Sequence, residues 1–587
     1  MNVNVLENMK NMKMRKFLRG LFAGVLACGC LFAATSVEAK RGYIYDSDGK
    51  PIQSSPGFQL NANGVYNVNS TAWKDSSGKS LIAAADIKSL EDLYVYKNGT
   101  EDLVYVVDSG SNKLFVFDGA LNYKETVEKF EINPDDFTEP ELREISSGGS
   151  LLSDDTIKAM SQAKEIKYED RTDKQKFYIT ASGLSCVFRA TRPIKDEYGV
   201  NTGDYQDVIY LCDKKNKQIL LVQPACSGEE CTGEDDYKII DIYTTPKDAD
   251  FSSKYAPSKM VIDSSGRMYV ISDEVYEGII LLNYDGSFMR YVGVNYTTLS
   301  FWQALTRNLK TEEQLAQETK ILSTKFANLS IDDKNFIYTV APATYNEVTQ
   351  VTDDTTMVKK INQTGDDVLV RNGYSTPKGD LVTIKTGDKK GGSAFKGITV
   401  NDFGVYTVVD GNLGRLFTYD SEGNLLYISA GNGSEQTDIS QPVAVRYQGD
   451  DILVLDRGNY SILRFELTDF AKSINKATKH QFYGETEEAA AEWANVIKLN
   501  PNYQLAYVGV GKTLHEAGRY QEAMAYFETG DNQAYYSRAY KKYRDDLIKL
   551  YFPYVLYGGC ALAVGLIGYK IVKKVKNKNP DEEGEVI

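Results

Sequence analysis

From about residue 100 to 470 the chain repeats one pattern of apolar and polar positions. A nearly unbroken apolar run ends in Asp or a small polar residue, a tight turn follows, and a second apolar run returns. The pairs of runs are 103–108 with 113–118, 208–213 with 218–222, 268–273 with 278–282, 336–340 with 357–361, 405–410 with 415–419, and 452–456 with 461–465. Short runs that are apolar throughout fit strands packed on both faces. A further strand with a polar hairpin precedes each copy, as at 260–266 and 398–404. Turns such as Tyr284-Asp285-Gly286 close the outer strands with residues that tolerate positive φ. Three other patterns lie outside this region: a helical period over 483–549, an uncharged segment at 550–569, and an apolar run at 21–34.

Strand–turn–strand units repeated six times predict a mainly β fold, a six-bladed β-propeller spanning 40–472. The spacing is irregular, and two insertions account for it. Residues 134–170 form an acidic loop with a helical piece at 155–160. Residues 300–323 have the period of an amphipathic helix pair, with Phe301, Trp302, Leu305, Leu309, Leu315 and Ile321 on one side. The segment 43–50 has the form of an outer blade hairpin and is expected to close the ring by pairing near 460–470. The stretch 104–114 resembles a blade of the NHL-repeat family, which pairs an Asp at a strand end with Asn and a basic residue in the turn. Asp108, Asn112 and Lys113 fit, as do Asp213, Asn216 and Lys217. Asp410, Asn412 and Arg415 fit loosely, and Asp456 and Asn459 in part. The fourth copy lacks the Asp, and the third has Glu274 where the turn should be small.

Residues 473–549 change to a helical pattern. The stretch 506–527 resembles a tetratricopeptide repeat: Gly511 and Ala523 are small where two helices touch, Tyr520 and Phe527 fill between them, and Gly518 ends the first helix. Residues 488–501 match the second helix of a preceding repeat with its closing Pro501. Two repeats are fewer than the three or so that stand alone. The module is therefore expected to lean on the propeller or on a partner, as a stalk or as a docking surface.

The ends of the chain carry export and membrane signals. Lys10, Lys13, Arg15, Lys16 and Arg19 precede the apolar run, and Val37-Glu38-Ala39 supplies small residues before a cut, so 1–39 is a signal peptide by this pattern. An uncleaved anchor and a lipoprotein cut before Cys28 are the alternatives. Residues 550–569 are long enough to cross a bilayer, which takes about 20 residues. Tyr551, Tyr554, Tyr557 and Tyr569 mark the interfaces. Lys570, Lys573, Lys574, Lys576 and Lys578 begin the tail 570–587 and place it in the cytoplasm. The expected localisation is the plasma membrane, with a single span and the N-terminal ectodomain outside.

Charge and candidate chemistry narrow the function. The net charge of −14, from 67 basic and 81 acidic residues, argues against nucleic-acid binding. The chain has two histidines, His480 and His515, both in or beside the helical module, so no Ser-His-Asp relay fits inside the propeller. Of seven cysteines, Cys226 with Cys231 and Cys186 with Cys212 are candidate disulfides. No cofactor is identified. A divalent cation on the axis would draw on the strand-end residues Asp108, Asp213, Asp273, Asp410 and Asp456; the competing reading has these carboxylates accepting from their own turn amides. Trp73, Trp302, Tyr276 and Tyr345 are candidates for stacking on sugars. The expected function is a surface-anchored binding or scaffolding protein, more plausibly not an enzyme, that contacts protein or carbohydrate. It resembles Gram-positive bacterial surface proteins associated with transporter-type membrane complexes. The alternative is an extracellular metal-dependent hydrolase of the gluconolactonase type. Oxygens converging on one axial point would favour the hydrolase, and a tyrosine-lined mouth would favour binding.

Overall fold

The six apolar repeats form the second and third strands of six sheets, the blades of a β-propeller, antiparallel except where Lys238 meets Glu131 in blade 2. The structure, a computed structural model, describes residues 42–577 except 98, 100, 173–174, 196–199, 225–236, 250, 252–253, 294–324, 347–350, 382–383, 387–388, 434 and 436. The expected signal peptide, the helix pair at 300–323 and the Cys226–Cys231 pair lie outside the described residues.

Blade 1 runs Leu90–Lys97, Asp102–Asp108, Lys113–Asp118, Tyr123–Val127. Blade 2 opens with two long strands, Leu184–Lys195 and Asn201–Asp213. Phe130–Ile132 and Phe177–Ile179 join its outer edge, making six strands. Blade 3 spans Pro257–Ile262 to Phe288–Val292. Blade 4 has three strands, Asn328–Ile331, Ile337–Val340 and Val358–Ile361. Blade 5 spans Phe395–Val400 to Leu425–Ala430. The first strand of every blade touches the first strands of both neighbouring blades, so these six strands line the axis. Between blades, apolar side chains pack face to face; Tyr105, Tyr210, Tyr269, Tyr338 and Tyr406, one in each of blades 1 to 5, are almost fully buried. Much of the chain's tyrosine is therefore core.

The ring closes in blade 6, but not through the expected hairpin. Pro442–Gln448, Asp451–Asp456 and Ser461–Leu467 take their fourth strand from Phe58–Tyr66, with Phe58 opposite Leu467 and Tyr66 opposite Ile462. Residues 43–53 pair only with themselves, as Tyr43–Tyr45 against Pro51–Gln53. That hairpin sits on blade 5, where the buried Asp380 carboxylate accepts from the Tyr43 hydroxyl at 2.9 Å and from Tyr45, and pairs with Arg415. Its strands are three residues long, whereas Phe58–Tyr66 has nine and pairs with the last strand of blade 6 from Ile462 to Leu467.

Two short helices, α1 (Glu139–Leu142) and α2 (Asp154–Ala163), occupy the acidic insertion of blade 2. Five more follow blade 6: α3 (Asp469–Tyr483), α4 (Thr486–Leu499), α5 (Gln504–Glu516), α6 (Tyr520–Thr529) and α7 (Gln533–Lys576). Each of these helices packs on the next. Close approach depends on glycine: a Cβ at Gly509 would lie 2.5 Å from the Trp493 indole, and one at Gly511 2.6 Å from the Phe527 ring. The module shares one core with blades 5 and 6, in which Phe470, Ile474 and Tyr503 pack with Phe58, Tyr427 and Leu467. The Tyr503 hydroxyl donates to the Leu426 carbonyl at 2.7 Å, and that of Tyr427 to Asn475 at 3.0 Å.

Helix α7 is 44 residues long, about 66 Å at 1.5 Å per residue. Its first turns pack on α6, with Ala539 buried. Its apolar side chains from Leu550 to Val575 are exposed. Among the described residues it is the one helix long and apolar enough to cross a membrane. Pro553 sits inside it, a residue that membrane helices tolerate.

Candidate binding site at the propeller axis

The recurring strand-end aspartates are staples. In blade 1, Asp108 is fully buried; one oxygen accepts from the amides of Lys88 and Ser89, which lead into the first strand, and the other from Gly110 and Ser111 in the turn. Asp456 also joins entry to turn: one oxygen accepts from the Ser440 amide, and the other from the amides of Gln441 and Gly458. Asp410 accepts from the amides of Ala394 and Asn412. Asp213 accepts from the Ser182 amide and from the side chains of Asn216 and Gln218; burial pushes its carboxyl up to about 6 against the pull of these donors. Each carboxylate thus ties the entry of its blade to a turn. Asp273 is different. The residue facing Pro257, where Asp108 faces Leu90, is Ser272, whose hydroxyl accepts from the Ala256 amide. Asp273 lies one position further on and pairs with Lys214 and, at 2.6 Å, Lys325.

The charged centre of the axis comes from three first strands. Asp92 of blade 1 is fully buried, 3.1 Å from Lys259 Nζ of blade 3 and 3.7 Å from Arg446 Nη2 of blade 6. Lys259 also donates to the Glu91 carbonyl at 2.6 Å, and Arg446 to that of Ile398 at 3.2 Å. Two cations on one carboxylate form the reverse of a divalent-cation site. Among the described residues no group of three or more His, Cys, Asp or Glu side chains is placed to hold a metal ion. The five candidate aspartates do not converge. These residues do not fit an axial cation.

On either side of this ion cluster lies a cavity. The first, about 500 Å³, opens where the first strands end, and Arg446 lines it. Its walls carry Tyr94, Tyr96, Phe188, Phe403, Tyr447 and Tyr483. The Tyr94 hydroxyl donates to the Arg189 carbonyl at 3.0 Å, the Arg189 guanidinium covers the Tyr96 ring at 4.1 Å, and the Tyr447 hydroxyl bonds Thr407 at 2.6 Å. These rings are held in place, and burial drives the Tyr94 and Tyr447 hydroxyls above their ordinary range, so they stay neutral. Lys97, Arg446 and Lys479 balance Asp333, Asp402 and Asp450. Lys479 and Tyr483 belong to α3, so the helical module supplies part of this wall. The second cavity, about 700 Å³, opens where the first strands begin, and Lys259 lines it.

Neither Trp73 nor Tyr276 lines either mouth. Trp73 is core, stacked on Phe117 at 5.0 Å with its ring N–H donating to the Leu121 carbonyl at 3.0 Å. Tyr276 is exposed, Tyr345 lies in the hairpin Thr344–Asn346, and Trp302 falls outside the described residues. Cys186 and Cys212 face each other across the first two strands of blade 2, both buried. They are free thiols, so the bridge expected from the sequence is not formed. Burial, with Cys212 and Asp92 nearby, drives the Cys186 thiol well up and keeps it protonated. Tyr94, Tyr447, Asp92, Lys259 and Arg446 went unnoticed in the sequence; the available signal was a charge or tyrosine within otherwise apolar first strands.

No protein-family model matches the chain, and no curated protein matches it. Among solved structures, virginiamycin B lyase from Staphylococcus aureus is similar at 10% identity and a TM-score of 0.33, over 70% of this chain and 100% of that one. BamB from Moraxella catarrhalis is similar at 10% identity and a TM-score of 0.29, over 70% and 96%. A luciferin-regenerating enzyme matches at 9% identity and a TM-score of 0.29, over 65% and 93%. Nothing about activity passes from these proteins to this chain.

Proposed function

We propose that this chain is a membrane-anchored binding or scaffolding protein that holds a protein segment or a sugar chain in the tyrosine-lined mouth. The observation that carries this is the mouth itself: six aromatic rings around about 500 Å³, charge-balanced, with one wall contributed by α3. Aromatic rings offer large contact area at small entropic cost. The signal-peptide pattern and the lysines after the span support an ectodomain outside the cell and a cytoplasmic tail. The NHL-like blades and tetratricopeptide-like helices support a contact role within a membrane complex, including one associated with a transporter. The hydrolase alternative has no axial ligand set among the described residues.

Tyr483 is exposed and lines the mouth. A photocrosslinking residue placed there, in the full-length protein in its native membrane, is expected to capture one discrete partner, or the protein is expected to retain glycans in a way that Tyr96→Ala abolishes. The control position is Leu151, exposed and away from the mouth. Equal capture at both positions, with no glycan retention, would sink the reading. Calcium-dependent lactone turnover would replace it with the hydrolase.

A further inference from the structure

We propose that the second mouth binds a multiply charged oxyanion of the phosphate or carboxylate class. Five of the six blades each place one cation on its wall: Lys214, Lys259, Lys325, Lys396 and Arg457, from blades 2 to 6. Glu91 and Asp273 are the two carboxylates there. The chain as a whole carries −14, so this cavity inverts the sign of its surroundings, while the tyrosine mouth is balanced.

The internal pairings show where the excess lies. Arg457 is matched by Glu91 at 2.6 Å, and Lys259 is engaged by Asp92. Lys214 and Lys325 share the single carboxylate of Asp273. Lys396 is exposed and makes no ion pair among the described residues. Unmatched positive charge therefore gathers between blades 2, 4 and 5, against the apolar rings of Phe326 and Phe395. A concave wall of low polarity focuses such a field and attracts counter-ions. The two lysines on Asp273 hold its carboxyl below the usual range although burial pushes the other way. Three separated ammonium groups match a ligand with several charges better than a single one. This mouth shares no lining residue with the other.

The test is calorimetric titration of the full-length protein in nanodiscs at low salt, with inorganic tripolyphosphate as one probe and citrate as the other. At least one probe is expected to bind one site per chain, more weakly as salt is added. Lys396→Glu is expected to weaken that binding by at least about tenfold through charge reversal. Lys479→Glu, at the tyrosine mouth, is expected to leave it unchanged. The ranking of the probes tells phosphate from carboxylate. Absence of binding by both probes at millimolar concentration, or equal binding by the wild type and Lys396→Glu, overturns the proposal. So does equal weakening by Lys479→Glu. Lys396 makes no ion pair among the described residues, and thermal melting of the same sample separates loss of binding from loss of fold.

Discussion

Lys512 of α5 reaches across to Glu422 of blade 5 at 2.6 Å, and the Tyr535 hydroxyl of α7 donates to the same carboxylate at 2.9 Å. Burial alone would raise the Glu422 carboxyl, but the Lys512 ammonium and these hydrogen bonds hold it below its usual range. Burial alone would lower Lys512, yet Glu422 and its neighbours raise it. The depressed carboxyl adds stability that is present above about pH 4.3 and is lost as pH falls through the folded value. The raised ammonium adds stability that is present below about pH 10.4 and is lost as pH rises through its folded value. Docking of the helices is expected to hold between these limits and to loosen outside them. Glu422→Gln should weaken it by roughly 2 kcal/mol at neutral pH. Hydrogen exchange should show faster amides in α5 to α7 with blades 1 to 4 unchanged; a uniform increase would mean the contact is not local.

Asp108→Ala leaves four part-buried amide donors without their fully buried acceptor. The expected cost is about 3 kcal/mol. Asp273→Ala removes no such staple and should lower the melting temperature much less. Matched thermal melts of the two variants decide this, and equal losses would remove the distinction between the two aspartates.

Deleting 42–54 removes only the hairpin on blade 5, so the ring should stay closed with a modest loss of stability. Deleting 42–66 takes the fourth strand from blade 6 and should abolish cooperative melting. Gln59 and Glu466, paired across that seam, are 407 residues apart in the chain, a closure that costs roughly 5 kcal/mol of entropy before the strands reward it. If both deletions melt alike, the seam is elsewhere.

Gly511→Leu is expected to push α5 off α6, because even a single Cβ would meet the Phe527 ring at 2.6 Å. Overpacking of this kind costs about 1–3 kcal/mol. Circular dichroism should keep its strand signal while the helical part melts earlier. Gly518→Ala, with open space around it but φ of +75°, should cost less.

The six blades were legible because each contributes strands apolar on both faces, a pattern few other folds repeat. The module was legible through Gly511, Ala523 and Phe527, whose sizes only make sense at a helix–helix contact. The closing strand was not. Phe58–Tyr66 is an outer strand needing one apolar face, and Gln59, Asn61, Asn63 and Gly64, together with a break in register between Leu60 and Val65, disguise even that. The third blade misled by one residue: Asp273 has the right type, yet Ser272 has the right place. The axial cluster stayed hidden because Asp92, Lys259 and Arg446 come from blades 1, 3 and 6 and meet only when the ring is complete.

Helix α7 joins the body of the protein to its apolar span without a break. Under the anchoring proposed above, the direction in which the tyrosine mouth looks is set by the phase of this helix. One alanine added between Arg544 and Lys549 would turn the ring by about 100° and lift it by about 1.5 Å. Seven would lift it by about 10 Å and return it nearly to its starting bearing. A partner fixed in the same membrane would feel the first insertion far more than the second.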